Sequence, residues 1–83
     1  MKVKGEFEFP VDVFEGEIFS VRYSIEYFEG GSEYGINGGC ITYLSMRWAD
    51  NDEQFLLYDR EWELEPLDPI ADDALKWALV RFG

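Results

Sequence analysis

The chain has 83 residues and a mass of 9.7 kDa, which is room for a single domain spanning 1–83. Its 18 acidic residues outnumber 7 basic ones, and the net charge of −11 excludes an ordinary nucleic-acid binder, which needs Lys and Arg to displace counterions from phosphates. The same charge argues against an anionic membrane surface, while 47% hydrophobic and 18% aromatic residues supply the core that so short a chain needs and point away from disorder.

From the N-terminus, Val3, Gly5, Phe7 and Phe9 alternate with Lys4, Glu6 and Glu8, a period of two that predicts a strand near 2–9. Two early lysines are followed by no apolar stretch of signal-peptide type. Pro10 interrupts the strand, Val11 to Phe14 continue extended, and Glu15-Gly16 is expected to turn. A second strand near 17–28 sets Phe19, Val21, Tyr23, Ile25 and Tyr27 on one face, with Ser20, Arg22, Ser24 and Glu26 on the other.

Glu29 to Gly39 is a glycine-rich loop in which Asn37-Gly38 signals a positive-φ turn. A third strand near 40–48 places Cys40, Thr42, Leu44, Met46 and Trp48 on one face, and Ile41, Tyr43, Ser45 and Arg47 on the other. Asp50-Asn51-Asp52-Glu53 is a turn. A fourth strand near 54–64 keeps Leu56, Tyr58, Arg60, Trp62 and Leu64 in one parity, and Glu61, Glu63 and Glu65 in the other. Asp68 is a good N-cap and Pro69 suits the first helical position. From there to Phe82 the apolar spacing changes to three and four, with Ala71, Ala74, Leu75, Ala78, Leu79 and Phe82 as a stripe. The expected fold is α+β: a four-stranded antiparallel sheet with one C-terminal helix packed on a face. Phe19, Val21, Tyr23, Ile25, Leu44, Met46, Leu75, Ala78 and Phe82 are expected to be buried.

Two segments, Gly31-Ser32-Glu33-Tyr34-Gly35-Ile36-Asn37-Gly38-Gly39 and Tyr58-Asp59-Arg60-Glu61-Trp62-Glu63-Leu64-Glu65-Pro66, resemble a small family of uncharacterised bacterial and phage proteins. Members pair a G-S-x-Y-G-I-N-G-G loop with a later Y-D-R-x-W-x-x-E-P segment. The resemblance implies a phage or prophage setting and carries no activity with it.

Chemistry-bearing patterns are sparse. No histidine is present to work near neutral pH, and Cys40 has no histidine base, so a buried strand position is its simpler reading. Alternate glutamates on a strand lie about 6.6 Å apart, at about 3.3 Å per residue, which mimics a glycosidase pair only through strand geometry. The glycine loop lacks a lysine, contains Glu33 and leads into a strand, where a phosphate loop leads into a helix. Counting an EF-hand from Asp50 puts Phe55 where glycine is required, so the segment is an acidic turn. Neither an enzyme, a cofactor nor a metal site is expected.

A single cysteine makes no disulfide framework, and no apolar run reaches the roughly 18 residues of a membrane span. The expected location is the cytoplasm of a bacterial host. The charge points to a partner with a basic surface, a nucleic-acid-binding protein whose groove this domain occupies as an inhibitor of anti-defence, DNA-mimicking type. Glu61, Glu63, Glu65, Asp68, Asp72 and Asp73 are the candidate contact residues, and Glu33, Tyr34 and Ile36 in the glycine loop are a second candidate. The alternative is a self-associating accessory protein, a homodimer included, whose exposed aromatics make the contact and whose acidity serves solubility.

Overall fold

In the computed structural model the described residues are 1–12 and 16–83. They form strands β1 (Lys2–Asp12), β2 (Glu17–Tyr27), β3 (Ile41–Trp48), β4 (Gln54–Asp59) and β5 (Trp62–Leu64), and a helix α1 (Pro69–Phe82). The expected extended residues Val13 and Phe14 and the turn residue Glu15 lie outside the described residues; Gly16 beside them has φ +69°. Each strand pairs antiparallel with its neighbour in the chain, in the order β1-β2-β3-β4-β5, so β1 and β5 are the edges. No helix among the described residues is long and apolar enough to cross a membrane.

Parity along the strands decides which face carries the core. Val21, Ile25, Leu44, Met46 and Leu56 are almost fully buried on one face, where Ala74, Leu75 and Ala78 of α1 pack against them. Each such aliphatic side chain contributes about 1.5–3 kcal/mol on burial. The alanines at the contact keep the helix close to the sheet. Asp68 caps α1 through a 2.8 Å bond from the Ala71 N–H to Oδ1, and Pro69 opens its first turn. An aromatic row covers the margin of this layer. Trp77 stacks on Phe7 with centroids 3.7 Å apart, and Arg81 lies 4.3 Å from the Trp77 ring centre.

Six expectations need correction. Pro10, expected to interrupt the first strand, lies inside β1 and pairs with Ile18, because an edge strand can spare its N–H, and the register shifts only beyond it, between Pro10 and Asp12. Cys40, expected at a buried strand position, precedes β3 and is only half-buried, its thiol donating to the Glu29 carbonyl at 3.6 Å. The predicted fourth strand is two strands, because Arg60 adopts φ 63° and reverses the chain between Tyr58 and Trp62, which pair with each other. Ile41, expected on the open face, is fully buried in the core. The cause is a bulge: Glu26 pairs with Tyr43 but Tyr27 pairs with Ile41, so Thr42 is the extra residue and Ile41 is turned inward. Leu64 likewise leaves the parity of Trp62, since it pairs with Leu57 while Trp62 pairs with Tyr58. Phe19, Tyr23 and Phe82 are only half-buried, because each belongs to the aromatic margin of the layer, Phe19 against Trp48, Tyr23 against Phe7 and Trp77, and Phe82 against Tyr27.

Candidate functional site

The glycine loop is folded on itself by its own backbone. The N–H groups of Gly35, Gly38 and Gly39 donate to the carbonyls of Ser32, Gly35 and Ile36, and the Ser32 N–H donates to the Gly39 carbonyl at 3.0 Å. Gly35 passes so close to Gly39 that a Cβ there has no room. Ile36 sits on a short 3-10 turn, Ile36–Gly38, and joins the core at 4% exposure. Ile36, named with Glu33 and Tyr34 as a candidate contact residue of the loop, is thus a core residue with little surface to offer a partner. Tyr34 is exposed at 54%, and Glu33 is also exposed.

The β4–β5 turn reaches the same place from the other side. The Tyr58 hydroxyl donates to the Tyr34 carbonyl at 2.7 Å, tying β4 to the loop. The Arg60 N–H donates to the Thr42 carbonyl at 2.9 Å, so the bulge residue of β3 holds the turn. Thr42 in turn bonds the Glu26 carbonyl through Oγ1 at 3.3 Å. Between loop and turn lies an open cleft of about 630 Å³. Phe28, Tyr34 and Tyr43 supply its aromatic wall, Glu26 and Asp59 its carboxylates, and Arg60 a cation. The Arg60 side chain has no ion pair or hydrogen bond among the described residues. Sequence inspection singled out both segments but did not place them on one cleft. The tie between them is a hydroxyl reaching a backbone carbonyl 24 residues away, which no local pattern announces.

The acidic segment begins where the cleft ends. Glu61 belongs to the turn, Glu63 to β5 and Glu65 to the exit from it, and all three are exposed. They do not form the single strand face that parity suggested, because β5 is only three residues long and Glu63 is its bulged residue. They line the outer edge of the sheet instead. Trp62 anchors them edge-on against Tyr58, with centroids 5.1 Å apart. Asp68 is committed to the helix cap and Asp72 pairs with Lys76 at 3.2 Å. Asp73 is exposed, and it and the three glutamates make no ion pair with the described residues. Among the described residues no three Asp, Glu, His or Cys side chains come together as a metal site.

The chain matches, over residues 1–83, the profile of a domain of unknown function, DUF7678, and belongs to that family. No curated protein and no solved structure matches it.

Proposed function

We propose that this DUF7678 domain is a small acidic interaction module of phage or prophage type that docks on a basic protein surface. The partner class is a nucleic-acid-binding protein, whose groove the domain fills in place of DNA or RNA. One observation carries the reading: Glu61, Glu63 and Glu65 are exposed along the β5 edge, next in the chain to Asp59 of the cleft, and neither they nor Asp73 make an ion pair with the described residues. A rigid frame holds them, since the turn is bonded to β3 and Trp62 is packed on Tyr58. Carboxylates fixed in this way leave less side-chain ordering for the binding step. They also steer encounter with a basic groove, an effect that salt screens.

The test is capture from host lysate at low and high salt, followed by competition on the purified captured protein with a labelled duplex. The expected result is a nucleic-acid-binding protein released by salt, from which this domain displaces the duplex. Replacing Glu61, Glu63 and Glu65 together with Gln is expected to slow association and flatten its salt dependence while the fold persists. Unchanged affinity in that variant, with loss on Tyr34→Ala, moves the site to the cleft and leaves the acidity to solubility.

A further inference from the structure

The edge opposite the acidic segment carries a pattern of its own. Met1 and Tyr27 exchange two hydrogen bonds, Met1 N to the Tyr27 carbonyl at 2.8 Å and Tyr27 N to the Met1 carbonyl at 2.9 Å. Met1 therefore aims its backbone groups at β2, and so do Val3, Gly5 and Phe7, because the direction alternates along a strand. Lys2, Lys4, Glu6 and Glu8 aim their N–H and C=O groups outward, at an edge that no described strand covers. Their side chains share the face away from the helix and are exposed. In chain order their charges run plus, plus, minus, minus.

We propose that β1 pairs antiparallel with β1 of a second copy of this chain, about a two-fold axis through Gly5. In that register Lys2 lies opposite Glu8 and Lys4 opposite Glu6, twice over by symmetry, and every such pair exchanges both backbone bonds. Sliding by one pleat either way sets Lys4 against Lys4 or Glu6 against Glu6, so charge fixes the register. The monomer leaves this complementarity unused. Lys2 and Lys4 have no ion-pair or hydrogen-bond partner among the described residues. Among the described residues Glu6 meets only Arg22, at 3.5 Å, and Glu8 accepts only from Ser20 Oγ, at 3.4 Å. Pro10 ends the ladder, since the next outward position has no N–H to give.

The helix face agrees. Val3 meets Phe7, both half-buried in the monomer, and Gly5 meets Gly5 at the axis. The Tyr23 hydroxyl lies 2.6 Å from where a Gly5 Cβ would stand, so the phenol covers that glycine and ends at the axis. It has no hydrogen-bond partner among the described residues, and two such hydroxyls arrive there from the two copies.

Two double variants test the pairing by sedimentation velocity at low salt. Lys2→Glu/Lys4→Glu makes the edge wholly acidic and Glu6→Lys/Glu8→Lys makes it wholly basic. The parent chain is expected to dimerise, and each variant alone to associate more weakly by on the order of a hundredfold. An equimolar mixture of the two is expected to recover the dimer. Far-UV circular dichroism checks that each variant is folded. Amide exchange on the parent chain supplies a second measurement: the Lys4, Glu6 and Glu8 amides gain protection as concentration rises. A parent chain that stays monomeric, a dimer that survives both variants, or a dimer whose Lys4, Glu6 and Glu8 amides stay unprotected overturns the proposal.

Discussion

Gly35 and Gly38 stand three residues apart in one loop and answer to different constraints. At Gly38 an added Cβ meets nothing within 4 Å, but φ is +74°, a region that side-chain-bearing residues resist. At Gly35 the dihedral is ordinary, φ −72°, and the obstacle is the Gly39 backbone. Gly38→Val is expected to cost about 1 kcal/mol or more, and Gly35→Ala about 2–3 kcal/mol because the neighbouring chain must move. Urea unfolding of both variants checks the order. The Asn37-Gly38 signal was legible because it is local. The need at Gly35 was not, since it depends on where Gly39 folds back. Arg60 presents the reverse case, a left-handed φ of 63° on a residue with no local excuse for it. Replacement by glycine removes backbone strain of about 1 kcal/mol and adds a similar entropy to the unfolded chain. Arg60→Gly is therefore expected to leave the unfolding midpoint nearly unchanged, so that any loss of binding belongs to the guanidinium.

Among the elements, α1 and the first three strands were readable from spacing and capping alone, and their positions hold to within one residue, except that β1 runs three residues past its expected end, through Pro10 to Asp12. The break between β4 and β5 was hidden for a definite reason. A three-residue turn, Asp59-Arg60-Glu61, returns the chain with Tyr58 opposite Trp62, so these two even positions stay on one face through the reversal, and the sequence pattern runs on to Leu64 although Leu64 itself leaves that face. The alternation continues unbroken, and no Gly, Asn or Pro at the apex announces the turn. The bulges were hidden too, because an extra residue such as Thr42 shifts the register without leaving a mark in composition. These same irregularities build the candidate cleft: Thr42 holds Arg60 through its carbonyl. The helix offers a clean test of packing. Ala74 and Ala78 are fully buried against the sheet. Ala74→Leu is expected to destabilise by about 1–3 kcal/mol through overpacking, measured as a lower urea midpoint at constant slope.

For the whole molecule, the balance of charge sets the response to salt. The ion pairs Glu6–Arg22 and Asp72–Lys76 join side chains that are about half or more exposed, so screening them costs little. A net charge of −11 repels itself across a body 41 × 21 × 20 Å in extent, and screening that repulsion favours the folded chain. The melting temperature at low micromolar protein is expected to rise as sodium chloride is added. A fall would show that the few attractive pairs outweigh the bulk repulsion. The charge total was plain in the sequence. Its division was not: the fold carries the lysine-bearing β1 and the glutamate-lined β5 to opposite sides of one sheet.

Those two sides are unequal in length, eleven residues in β1 and three in β5. A strand of three residues with a bulge inside it offers too little backbone to template another, and its glutamates repel a copy of themselves. As a building block the chain therefore has a valency of one. Sheet growth that begins at β1 is consumed by the first partner and finds no second end from which to propagate, so association closes at a pair where two adhesive edges would have made a fibre.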